Sequence, residues 1–140
     1  MTFYSVYRPL QLVLVACSLL LLSACAAPID KESQIEERVT ARWNTLLSGD
    51  LAGAYGYLSP GYRSSVSSLQ YQRSVLTRQL EYKSARYIGS ECEDTTCNVT
   101  VFVTFTVYGA VPGVTSFDGS RNIEESWVLV DGNWYLVPSR

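Results

Sequence analysis

The stretch Val99-Thr100-Val101-Phe102-Val103-Thr104-Phe105-Thr106-Val107-Tyr108 alternates without a break. Val99, Val101, Val103, Phe105 and Val107 fall on one face of an extended chain, and Thr100, Phe102, Thr104, Thr106 and Tyr108 on the other. Strand side chains point alternately to opposite faces, and β-branched and aromatic residues suit a pleated surface, so the stretch reads as a strand with one face in a core. Outward from it, Lys83 to Ser90 reads as a preceding strand, and Ile123 to Val130 and Trp134 to Val137 as two that follow. Asp131-Gly132 joins the last two and is a dipeptide that favours a two-residue hairpin turn. Gly109 to Ser120, with three glycines and a proline, reads as a long hairpin loop, with a mobile rim or lid as the alternative.

Upstream the period becomes helical. Ile35, Val39, Trp43 and Leu46/Leu47 mark a first helix, with Ser33 and Glu36 as its capping box and Gly49 as the residue that closes it. Asp50 caps a short second helix carrying Leu51, Ala54, Tyr55 and Leu58, which Ser59-Pro60-Gly61 ends. Ser67 with Gln70 opens a third, whose buried stripe is Leu69, Val75 or Leu76, and Leu80. Helices followed by strands, not alternating with them, imply an α+β domain over residues 33–140: three N-terminal helices packed on a four-stranded antiparallel sheet.

The first 24 residues have another character. A weakly positive start with Arg8 precedes the apolar run Leu10 to Leu22, which is shorter than the ~20 residues of a membrane-spanning helix and reads as a secretory signal. Leu22-Ser23-Ala24-Cys25 resembles the lipobox of bacterial lipoprotein precursors, in which the thiol of the cysteine receives diacylglycerol and the chain is cut just before it. That resemblance makes residues 1–24 a leader, Cys25 the lipidated residue, and residues 25–32 a tether reaching about 25–30 Å at full extension. It implies export and a lipid anchor, with Ala26 permitting the periplasmic face of the outer membrane of a Gram-negative bacterium and a Gram-positive surface as the alternative. An ordinary signal peptide, cut after Ala24, Ala26 or Ala27, is the competing reading.

Of the four cysteines, Cys17 leaves with such a leader and Cys25 carries lipid, so Cys92 and Cys97 remain as a pair around the turn-like Glu93-Asp94-Thr95-Thr96. In an oxidising compartment the pair reads as a disulfide, and a metal site would need further ligands in a chain with no histidine. Past residue 24 the chain keeps all 13 acids and ten of its 11 bases, a formal charge of −3, and nothing suggests nucleic-acid binding. No cofactor or metal is expected.

Trp43-x-x-Leu46-Leu47-Ser48-Gly49-Asp50-Leu51-x-x-Ala54-Tyr55, together with Glu125-Ser126-Trp127-Val128-Leu129-Val130-Asp131-Gly132-Asn133-Trp134-Tyr135-Leu136, resembles the opening and the ending of the nuclear transport factor 2-like superfamily. The resemblance implies a curved sheet wrapped around the helices into a cone with an apolar cavity, and Trp43, Tyr55, Phe102 and Trp127 are the candidate lining residues. In isomerases of that superfamily a tyrosine on the first helix donates to the oxyanion, and aligned on Gly49-Asp50-Leu51 its position falls on Arg42. The base should lie in the 60s, but Leu51 to Leu80 holds no acid, and the histidine of the dehydratases has no counterpart. Glu124 and Glu125 occupy opposite faces of one strand, so one of them is placed to face inward.

The acid-free span carries Arg63, Arg73 and Arg78, a candidate basic face for lipid headgroups or an acidic partner. These readings favour a membrane-anchored, non-catalytic binding domain for a small apolar ligand or another envelope protein. A small cavity enzyme of isomerase or lyase type, and a structural homodimer paired through its sheet, are the alternatives.

Overall fold

The computed structural model describes residues 30–139. The leader, Cys25 and most of the tether therefore lie outside the described residues. Four helices come first: α1 (Lys31–Leu47), α2 (Leu51–Tyr55), α3 (Pro60–Ser65) and α4 (Ser68–Leu76). Four strands follow: β1 (Leu80–Cys92), β2 (Thr96–Val111), β3 (Val114–Val130) and β4 (Asn133–Val137). They form one antiparallel sheet in the order β1-β2-β3-β4.

The expectation of three N-terminal helices packed on the sheet as a cone is corrected by this arrangement. Among the described residues there are four helices, and α1 is the one that lies against the sheet, along β1, while α2 packs on α1 and α4 on α2. The miscount has a local cause. Ser59-Pro60 not only stops the preceding turn but also starts a helix, because Ser59 accepts from the Tyr62 N–H and proline at the first helical position gives up no needed hydrogen bond. The first helix opens earlier than expected, on Asp30, whose side chain accepts from the Glu32 N–H. The expected caps Asp50 and Ser67/Gln70 stand where they were read. The expected stripe of the last helix does not: Leu69 is 57 % and Leu76 74 % exposed, and Tyr71 is the residue α4 buries.

Strand expectations fell short in length. Gly109 to Ser120 is not a loop: β2 runs to Val111 and β3 starts at Val114, leaving only Pro112-Gly113 as the turn. Gly113 has φ +82°, a conformation that proline before it and glycine itself make accessible. Gly109, at φ +64°, absorbs the register shift between Tyr108 and Val111. Beyond the turn, Gly119 lies opposite Phe105, whose ring occupies the space a side chain would need.

The helix-facing side of the sheet carries Val99, Val101, Val103 and Trp127, all fully buried, against Ile35, Val39 and Trp43 of α1. At the β4 edge, the Ser59 and Leu136 N–H groups donate to the Leu136 and Tyr57 carbonyls, both at 2.8 Å, which ties the segment after α2 to that strand. Cys92 and Cys97 are opposite each other in the β1–β2 register and at disulfide-bonding distance. Among the described residues, no helix is long and apolar enough to cross a membrane.

Candidate functional site

Arg42 occupies a core-facing position of α1, on the same stripe as Ile35 and Val39. A guanidinium there needs a counter-charge, since an unpaired buried ion is expensive. Glu125 of β3 supplies it: Arg42 Nη1 donates to Glu125 Oε1 at 2.8 Å, with the two residues 8 % and 7 % exposed. The second carboxylate oxygen accepts from Trp127 Nε1 at 3.1 Å. Tyr71 sits beside this pair; burial pushes its phenol above the ordinary tyrosine range, and the nearby Arg42 guanidinium partly opposes that. Glu124, on the other face, takes the Thr100 hydroxyl at 3.0 Å and stays exposed. Glu125 is thus the inward carboxylate, and the position where the resemblance implied a tyrosine donor holds its ion-pair partner.

A cleft of ≈ 220 Å³ opens between α1 and β1, lined by Glu36, Val39, Thr40, Trp43, Asn44, Ala85, Arg86 and Tyr87. Helical spacing explains one wall: Glu36, Thr40 and Asn44 recur every four residues, and Val39 and Trp43 form the adjacent row at its floor. Strand alternation and two register shifts, between Tyr82 and Ser84 and between Tyr87 and Gly89, shape the other wall. The Trp43 ring is braced edge-on by Tyr82 at 5.1 Å, and the residue is 3 % exposed. Its indole N–H has no hydrogen-bond partner among the described residues. Arg86, exposed at the cleft mouth, also reaches across the outer sheet face, 5.6 Å from the Phe102 ring centre. The cleft therefore has an apolar floor, which includes the residue with the unpartnered indole N–H, and the cation of Arg86 at its edge.

Of the four expected lining residues only Trp43 borders this cleft. Tyr55 is half-buried and its hydroxyl donates to the Val66 carbonyl at 2.7 Å, fastening α2 to the segment after α3. Phe102 faces away from the helices beneath Arg86, and Trp127 is sealed in the core on Glu125. Arg63 of α3 turns towards the Tyr135 ring, 5.5 Å from its centre, while Arg73 and Arg78 are exposed on α4 and just beyond it. The sequence offers Glu124 or Glu125 as an inward acid and names the Arg42 position, but it shows neither their pairing nor the place of Arg86 at the cleft. A usable signal existed for Arg42, a charge on an otherwise apolar helical stripe.

No family model matches the chain, and no curated protein matches it. Among solved structures, a SEC-C motif containing protein from Rhodopseudomonas palustris is similar at a TM-score of 0.56 and 14 % identity, over 74 % of each chain. A protein from Catenulispora acidiphila is similar at a TM-score of 0.50 and 10 % identity, over 75 % of this chain and 85 % of its own. Likeness at these identities concerns the fold.

Proposed function

We propose that this chain is a lipid-anchored envelope protein whose domain binds a small, largely apolar ligand in the α1–β1 cleft, without catalysis. One observation carries the binding reading: the Trp43 indole N–H, in a residue 3 % exposed at the cleft floor, lacks a partner among the described residues. A buried donor left unmade loses its water hydrogen bonds for nothing, and a ligand acceptor would restore the bond. The cleft volume is below the roughly 300–1,000 Å³ of drug-sized sites, which favours a compact ligand with a single acceptor. The anchor reading rests on the lipobox-like Leu22-Ser23-Ala24-Cys25, and the Cys92/Cys97 pair is in keeping with export.

The isomerase alternative needs an inward carboxylate free to take a proton. Glu125 is inward, but Arg42 and Trp127 hold its two oxygens and it does not line the cleft, so it gives that reading no support.

The test follows the indole N–H resonances of Trp43, Trp127 and Trp134 in the full chain, held in detergent micelles, while small apolar ketones and amides are titrated in. The expected result is a saturable shift at Trp43, assigned by its loss in Trp43→Phe, with Trp127 unmoved. If no probe moves Trp43, or all three indoles move together, the cleft is not a binding site.

A further inference from the structure

On the opposite flank of α1 lies a second arrangement that shares no residue with the cleft. Arg38 is two positions from Glu36, about 200° around the helix. Its guanidinium carbon sits 4.3 Å from the Tyr57 ring centre and 5.7 Å from that of Tyr135, and its Nε donates to the Trp134 carbonyl at 3.1 Å. Arg63, from α3, brings a second guanidinium carbon to 5.5 Å from the same Tyr135 ring centre. Tyr57 and Tyr135 are neighbours because the segment 57–59 hydrogen-bonds to β4 through Leu136. Four parts of the chain thus converge to place two like charges around one phenol ring.

Two guanidinium groups gathered on one ring, with a buried donor left over, set this cluster apart from ordinary surface arginines. Among the described residues the ion pairs are Arg42–Glu125 and Lys83–Glu81, so Arg38 and Arg63, like the other described arginines apart from Arg42, have no described carboxylate within 4.0 Å, although the chain is acidic overall. The Nε of Arg63 is also buried and without a hydrogen-bond partner. Ring faces attract guanidinium ions and fix their planes, but they do not cancel the charge or use the in-plane donors. The two forks are therefore held in place with donors to spare, the condition in which arginine binds oxyanions in pairs of parallel hydrogen bonds.

We infer that Arg38 and Arg63, seated on Tyr57 and Tyr135, form a binding site for a phosphate-type oxyanion. An oxyanion with three or four oxygens can engage both forks at once, which a single carboxylate does less well. Two sources carry that group: a free phosphate compound, and the headgroup layer of an anionic membrane, where arginine and tyrosine side chains are at home. The site does not depend on the cleft.

The experiment measures the rate at which phenylglyoxal modifies each arginine of the full chain, read by peptide mass spectrometry. Arg73 and Arg78, exposed and away from these rings, serve as internal controls. One arm holds the chain in neutral maltoside micelles and compares inorganic phosphate with chloride at matched ionic strength. The other compares those micelles with phosphatidylglycerol vesicles. Since only the free site reacts, phosphate at about four times its dissociation constant should slow Arg38 and Arg63 about fivefold, with the controls changed far less. Selective protection by phosphate supports the site and assigns it to solutes; selective protection by vesicles alone supports it and assigns it to headgroups. Protection that is equal at all four arginines, or absent in both arms, overturns the inference.

Discussion

Arg42 and Glu125, 83 positions apart in the chain, meet at 2.8 Å in the space between α1 and β3. Each is where an apolar residue would normally stand, and each is tolerable only because of the other. Glu125→Gln, or Arg42→Met alone, is expected to lower unfolding stability by about 3–5 kcal/mol, since the remaining group stays buried without its counter-charge. The double change Arg42→Met with Glu125→Leu should recover most of that loss. Urea unfolding midpoints of the three variants check it; equal losses for single and double variants would mean that the pair does not act as a unit.

Tyr71 is expected to make the domain sensitive to alkali. Burial raises its pKa above the ordinary tyrosine value of about 10, so the folded state holds the phenol proton more tightly than the unfolded state does. The resulting stabilisation is complete below about pH 10 and is lost as pH rises through the folded-state pKa. Tyr71→Phe should therefore flatten the decline in thermal midpoint above pH 10 relative to the parent chain. An unchanged slope would assign that decline to other groups.

Gly119→Ala tests the long hairpin. A Cβ at residue 119 would stand 2.8 and 2.9 Å from two carbons of the Phe105 ring, too near for van der Waals contact. The ring must move away from its place beneath Arg121 or the strands must part, at about 1–3 kcal/mol. Paired with Phe105→Ala, the same substitution should add little further loss, which a double-mutant cycle in urea measures.

Reduction of Cys92 and Cys97, or their joint replacement by serine, removes a closed loop of six residues. On the chain-entropy view this costs about 2 kcal/mol. Because Cys97 is 1 % exposed and Cys92 half-buried, the native chain should resist mild reductants until it unfolds, which thiol labelling against urea concentration would reveal.

For the anchor, Cys25→Ser is expected to abolish metabolic labelling with palmitate and to leave the 24-residue leader in place. Labelling retained in that variant would remove the lipoprotein reading.

Local chemistry made much of this fold legible. The alternation from Val99 to Tyr108 is a strand in the structure, Asp131-Gly132 is the turn between β3 and β4 with both residues at positive φ, and the Ser67/Gln70 box opens α4. These signals survive because they depend on neighbours in the chain: side-chain period, cap hydrogen bonds and the conformations a turn residue can adopt. The same local reading failed where one residue serves two ends, as Ser59-Pro60 does, and where strand pairing outvoted loop-like composition between Gly109 and Ser120. Glycine and proline discourage strands in isolation, but a partner strand in register supplies hydrogen bonds that composition cannot announce.

What only the tertiary structure decided is which distant residues share a space. Period-two alternation says that Glu124 and Glu125 face opposite ways; it does not say which way the core lies. Packing of α1 against the sheet makes Glu125 the buried one and gives it Arg42. The sequence offered Arg63 as part of a basic run with Arg73 and Arg78, yet the fold sets it with Arg38 and Tyr135 instead. Charge and hydrogen bonding act over a few ångströms through space, so a sequence determines the elements and their polar faces, while the meeting of those faces defines the sites.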